Sequence, residues 1–410
     1  MTRNLPLQLA QHSPSHPLYA AAPLWRREPF RLLFPLGALL SWAGVFHWLL
    51  FGLGVTEEYR SIFHSLAQVE GFLACFATGF LLTFVPRRTR SPAASAVEIA
   101  FACALPIATV AFAWQERWAV SQLFWIGLLA LLVQFVARRI RGAALGSVPP
   151  AFVWVPCALA FGALGAVLAG VGAARGDDWM WLHDIGRGLV LQGVFSGLIL
   201  GTGSFLLPAI TRAQTPPDAR PIARDRWLLA YNLVLALLFA GSFFLENLVS
   251  IRAGFALRAA CALLALLPNA PWKLPTLPGL HRRIAWLAQW MLPLGFACVA
   301  AMPEHRRIGL HVVFIGCFAA LVFAVSIHVT LSHTGRVARL DRTPPQLVAL
   351  AALLGLALSA RLLVGLDPAR AQLWIGAAAG SFLLATLAWA AALLAGAGAG
   401  APAAPAVDHC

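Results

Sequence analysis

The sequence predicts an all-α polytopic membrane protein of twelve transmembrane helices, with both termini in the cytoplasm and a suggestion of three four-helix repeats. Three observations predict it. The chain of 410 residues is 60% hydrophobic and only 11% charged, whereas an ordinary soluble chain carries about 25% charged residues. Apolar runs of about 20 residues, the length that crosses a bilayer's hydrocarbon, recur from end to end, and the mean hydropathy is +0.77. The basic residues gather in alternate loops. Together these exclude a soluble enzyme, a disordered protein and a nucleic-acid-binding domain, despite a net charge of +14. Base recognition would need a folded basic module.

The spans fall near residues 31–54, 63–85, 94–114, 119–137, 150–172, 185–210, 227–245, 252–268, 284–302, 307–330, 346–366 and 371–396. A cytoplasmic tail is expected at 1–30, a single membrane domain at 31–396 and a second cytoplasmic tail at 397–410. Breaks are marked by Pro86-Arg87-Arg88-Thr89-Arg90, by Arg138-Arg139-Ile140-Arg141 and by Pro216-Pro217, Pro275, Pro278 and Pro344-Pro345. The N-terminal stretch to Pro29 is polar and holds Arg26 and Arg27, so it reads as a retained tail and not as a removable signal.

Orientation follows from the basic residues, which favour the cytoplasmic side. With the N-terminus inside, the inner tail and loops hold 20 Lys and Arg, from Arg3 to Arg342; the outer face holds eight, opposed by nine acids that include Glu57, Glu58, Asp177, Asp178 and Asp184. This inner ledge also suits anionic lipid headgroups. The seven cysteines are scattered, with six inside apolar runs and no CxxC or CxxCH, which points to buried thiols and away from a zinc knuckle or covalent haem.

An internal repeat is visible. Leu182-His183 precedes Thr215-Pro216-Pro217, and Leu310-His311 precedes Thr343-Pro344-Pro345; both the His and the Thr-Pro-Pro recur at an offset of 128. Phe63-His64 opens the second span in a similar way, with a shorter register. Spans two, six and ten thus read as equivalents, each with a His at its outer mouth.

Polar side chains inside a bilayer are functional candidates because desolvation is costly. His47, His64, His183, His305 and His311 fall near the outer face; His281, His328 and His333 fall near the inner one. Imidazoles at one depth on three helices, His64, His183 and His311, are a candidate metal platform for copper or iron, and a b-type haem would take one or two of them as axial ligands. The competing reading is three interfacial histidines in hydrated headgroup space. His47 is a reserve ligand. His328 and His333 lie on different helix faces. Glu70 lies six residues after His64, about 9 Å deeper, where it either relays protons or pairs with Arg187. Glu98 and Arg258 are expected to snorkel or pair. The strip Gly193, Gly197, Gly201 reads as a helix-packing surface, and Trp179, Trp181 and Trp227 as interfacial anchors. No Walker A sequence or dinucleotide fingerprint occurs, and no adjacent His-His pair of the kind expected in a haem-copper oxidase.

The stretches Pro29-Phe30-Arg31, Phe34-Pro35, Phe63-His64, Glu70-Gly71-Phe72, Gly79-Phe80-Leu81-Leu82-Thr83-Phe84-Val85-Pro86, Arg187, Leu191-Gln192-Gly193, His311 and Ser332-His333-Thr334-Gly335-Arg336 together resemble the NnrS family of bacterial inner-membrane proteins, over about residues 25 to 390. The resemblance implies a haem- and copper-containing protein tied to nitric oxide stress and denitrification, and carries over His64, His311 and His333 as the family-like histidines. Ser332, where the family often has Gly, and His328, where Arg is expected, depart from the pattern. The resulting expectation is haem b, with copper as a second candidate, at a site drawn from His47, His64, His183, His311 and His333, served by Glu70 and Arg187. The expected partners are the lipid bilayer, nitric oxide and an unspecified electron donor, without nucleic acid. The rival expectations are a proton-coupled secondary transporter and a metal-binding membrane sensor or assembly factor.

Overall fold

The computed structural model describes residues 17–141, 149–214 and 222–395. Among the described residues, twelve helices are long and apolar enough to cross a membrane: α1 Phe30–Gly52, α2 Ser61–Thr89, α3 Ala96–Trp114, α4 Trp118–Ile140, α5 Pro150–Arg175, α6 Asp177–Arg212, α7 Arg226–Leu248, α8 Ile251–Asn269, α9 Leu280–Ala301, α10 Pro303–His333, α11 Pro345–Leu366 and α12 Pro368–Leu394. No strand occurs among the described residues. The even number of crossings returns the chain to the basic face from which it starts. Thr215, Pro216, Pro217, His12, His16 and His409, with the expected tail at 397–410, lie outside the described residues.

Local signals set several ends. Ser95 accepts from the Glu98 backbone N–H while the Glu98 carboxylate accepts from Ser95 N–H, a reciprocal cap that starts α3. Pro345 occupies the first turn of α11, where its missing N–H costs nothing. The structure extends α2, α6 and α10 beyond the apolar windows, to 29, 36 and 31 residues. The added outer turns, such as Asp177-Asp178-Trp179 in α6, are polar, so a hydropathy reading truncates them.

The packing has three parts. In each unit the first helix packs on the second and the third on the fourth: α1 on α2 and α3 on α4, α5 on α6 and α7 on α8, α9 on α10 and α11 on α12. Units join through α4–α5, α8–α9 and α12–α1, which closes the ring. The second helices are the interior pillars. The apolar windows of α2, α6 and α10 are 83%, 67% and 56% buried, against at most 50% in any other helix.

The same three helices share a deformation. Each contains a π-helical stretch shortly after its histidine: Ala67–Leu73, Leu189–Gly193 and Val312–Ala319. Such insertions are rare and cluster at functional sites. The three-unit architecture therefore rests on burial and backbone as well as on the 128-residue offset. In α6 the strip Gly193, Gly197, Gly201 faces α5: a Cβ at Gly197 would lie 2.8 Å from that of Ala158, so the strip serves packing.

Candidate functional site: histidine clusters at the two ends

The outer cluster is built from α1, α2, α10 and α11. His64 places Nδ1 2.7 Å from the carbonyl oxygen of Gly44 on α1. A carbonyl only accepts, so Nδ1 carries the proton and Nε2 keeps its lone pair. Close helix approach makes this contact: a Cβ at Gly44 would come within 2.8 Å of the Ala67 methyl. The second unit repeats the arrangement, with His183 Nδ1 2.9 Å from Ala169 O on α5. In the third, His311 Nδ1 bonds Arg307 O on its own helix at 2.6 Å. Anchoring one ring nitrogen to a carbonyl and leaving the other as acceptor is how metal-binding imidazoles are oriented.

Around His64 the rings close up. His47 lies 6.4 Å away between centroids and Trp48 5.6 Å away, while Tyr59 stacks on Trp48 at 4.6 Å. Arg361 donates Nε–H to His311 Nε2 at 2.8 Å and lies 5.3 Å over the Trp48 ring. The half-buried His47 ring has backbone partners at Ala43 and Arg60, whereas Nε1 of Trp48 is shielded from solvent without a hydrogen-bond partner among the described residues. An orphaned ring nitrogen beside two imidazoles is unusual, because buried polar groups are nearly always paired.

Among the described residues, no three His, Cys, Asp or Glu side chains converge to hold a metal ion. The three-imidazole platform expected from the sequence is therefore not assembled on one centre. His64 and His311 both neighbour Arg361. His183 shares no hydrogen bond or ring contact with them and remains within its own unit. His333 lies 22 residues beyond His311 on α10, about 33 Å along the axis, and belongs to the opposite end.

There His333 Nδ1 is 3.3 Å from Glu28 Oε1, and Arg87 Nη1 is 3.1 Å from His333 Nε2. Arg31 Nε bonds Glu28 Oε2 at 2.6 Å, and Arg87 Nη2 reaches Glu28 Oε1 at 3.1 Å. The Glu28 carboxyl is held at about 2. Burial alone would raise it, but the hydrogen bonds and charges of His333 and Arg31 outweigh that. Gly335, at φ +71, turns the chain after α10, and Arg336 bonds Leu393 O at 2.9 Å. Nearby, His281 Nε2 and His328 Nδ1 are 3.3 Å apart, both buried. His328 and His333 thus have separate partners, as their spacing requires.

Two buried polar groups lie deeper, each in a π-helical stretch. Glu70 is fully buried, and its carboxylate oxygens accept from Gln122 Nε2 on α4 at 2.9 and 3.0 Å. It does not pair with Arg187, whose charged neighbours are Asp184 and Arg306. Gln192 accepts from Arg258 Nη1 on α8 at 2.7 Å; Arg258 also binds Glu246 at 2.8 Å and Ser242 at 3.0 Å. Arg258 therefore pairs and does not snorkel, and Glu98 pairs with Arg139 at 3.2 Å. Arg361, Trp48, Gln122 and Glu246 escaped the sequence reading. Arg361 and Glu246 carried a usable signal as charges inside apolar runs.

This fold defines a class: a twelve-helix membrane protein of three four-helix units, with imidazoles clustered at both ends of its interior pillars. The sequence model of the NnrS protein family matches residues 23–395, and the chain belongs to that family, which is linked to the nitric oxide response. No match was found among curated proteins.

Proposed function

We propose that this protein binds or detoxifies nitric oxide in the bacterial inner membrane, using haem b, with copper as a second candidate, at the outer histidine cluster. The observation that carries this reading is the proximity of two imidazoles, His47 and His64, 6.4 Å apart between centroids, with His64 Nδ1 anchored on Gly44 O so that Nε2 is left as an acceptor. The donor chemistry fits: His47 and His64 are neighbouring imidazoles that would hold the group, and Nε2 of His64 is left as an acceptor by the Gly44 bond. His311 is a third donor if Arg361 releases it. His183, similarly anchored, is a candidate ligand within the second unit, and His333 is assigned to the inner end.

Bound there, the metal group would supply an open coordination position and a redox couple for nitric oxide. The protein's own residues do the rest. Trp48 and Phe63 wall the cluster with buried aromatic surface, and the half-exposed Tyr59 ring stacks on Trp48. The Arg361 cation favours electron density developing beside it. Glu70, without a cation among its described partners, is the group assigned to hold and release a proton, and Arg187 sets local charge. Nitric oxide is small and apolar enough to arrive through lipid, so no polar pore is required.

Absorption spectra of the purified protein, with and without nitric oxide, test the proposal. A Soret band that shifts on gas addition and weakens in His64→Ala and His47→Ala is expected. Absence of both a Soret band and stoichiometric metal would remove it. A second reading, a proton-coupled transporter, is favoured by the uncompensated burial of Glu70 and predicts substrate uptake by haem-free proteoliposomes.

A further inference from the structure

Toward the basic end, the three pillars part around a half-open apolar cavity of about 100 Å³. Phe76 and Phe80 of α2, Phe195 and Leu198 of α6, and Val322 and Val325 of α10 contribute to its wall. It contains no His, Asp, Glu, Lys or Arg. Its two hydroxyl residues are Thr202 and Ser326, and both are already committed. Thr202 donates to Leu198 O at 2.7 Å. Ser326 donates to Phe323 O at 2.9 Å and accepts from Trp389 Nε1 at 2.8 Å.

A water molecule needs two to four polar partners to occupy a buried site, and cavities without them stay dry and accept apolar guests; an engineered one of about 150 Å³ binds benzene or xenon. Haem does not fit here, because no axial donor faces the space and the volume is that of a much smaller guest. We infer that this cavity between α2, α6 and α10 is a binding site for a small apolar gas. Phe76 is 12 residues along α2 from His64, about 18 Å by helical rise. The site is therefore separate from the outer cluster, but on the same pillar. Identifying the physiological gas as nitric oxide rests on the function proposed above; the existence of the site does not.

Xenon is the probe. The metal-free full chain is placed in nanodiscs, and xenon-129 saturation transfer is compared with empty nanodiscs. A bound-xenon signal above the lipid background is expected, and it should be lost in Gly203→Leu and in Ala77→Leu. Gly203 has room for a side chain, since an added Cβ would meet nothing closer than 3.4 Å. Unchanged thermal midpoints show that the variants fold, and one folded variant suffices. A wild-type signal equal to that of empty nanodiscs, or one retained in a folded filled variant, overturns the inference. Xenon binding by the metal-free chain, with no Soret band and no stoichiometric metal in the protein as purified, would leave the cavity standing and remove the haem reading.

Discussion

The side-chain amide of Gln122 on α4 holds both carboxylate oxygens of Glu70 on α2, at 2.9 and 3.0 Å. In the second unit, Arg258 on α8 holds Gln192 on α6. Each bond joins the π-helical stretch of a second helix to the fourth helix of the same unit. The chemistry differs: the first unit buries a carboxyl with an amide, the second an amide with a guanidinium. Only the second supplies a charge partner, Glu246, 2.8 Å from Arg258.

Glu70→Gln should therefore leave the fold intact, because an amide can still bond Gln122, while removing the carboxyl proposed to exchange a proton. The thermal midpoint should change little, and any proton uptake coupled to gas reduction should be lost. Gln122→Leu should instead destabilise by about 1–3 kcal/mol, the usual cost of leaving a buried polar group unpaired. Denaturation in detergent, read beside a pH-indicator assay, separates the two effects.

Arg258→Met should be far more damaging. Arg258 is fully buried, bonds Glu246, Gln192 and Ser242, and lies 3.7 Å over the Phe243 ring. Removing one partner of a buried ion pair costs about 3–5 kcal/mol, whereas replacing both by well-packed groups is often close to neutral; because Glu246 keeps Arg306 Nη2 at 2.6 Å, the loss should fall toward the lower end of that range. The double variant Glu246→Gln, Arg258→Met should recover much of the loss. Unfolding of the singles and the double measures it.

The two candidate ligands His64 and His311 should not be equivalent. His64 Nε2 is left free by its bond to Gly44 O, but His311 Nε2 is occupied by Arg361. Metal content and Soret intensity should fall more in His64→Ala than in His311→Ala. Arg361→Leu, by releasing His311, should shift the spectrum without abolishing it. Equal losses at His64 and His311 would overturn this ranking.

Much of the architecture was legible because hydropathy and charge act locally. Twelve apolar runs mark twelve helices, and the His183–His311 offset marks two equivalent pillars. The π-helical stretches left no mark, since Val312–Ala319 reads as an ordinary apolar run; their register is set by tertiary packing. The site was less legible for the same reason. His64 and His183 were visible as residues, but their carbonyl anchors lie on neighbouring helices. Gln122 stands 52 residues from Glu70, so the Glu70–Arg187 pair, one of the two alternatives for Glu70, gave way to an amide that spacing could not identify. His333 was visible too, yet its partner Glu28 sits before the first span.

That last contact predicts an acid sensitivity with a defined sign. The Glu28 carboxyl is depressed to about 2 from its ordinary 4.5. A group whose folded value is lowered contributes fully above its unfolded value, and the contribution is lost as pH falls through the folded value. The contribution of Glu28 to its clasp with Arg31, Arg87 and His333 should be fully present above the ordinary carboxyl range. It should then weaken progressively between 4.5 and about 2. Limited proteolysis before Phe30, followed against pH, reads this directly: cleavage should accelerate only in that acid window. Glu28→Gln should cleave readily at neutral pH and lose the acid step, leaving the outer-cluster spectrum unchanged. An acid step of the same size in Glu28→Gln would assign the sensitivity to another group.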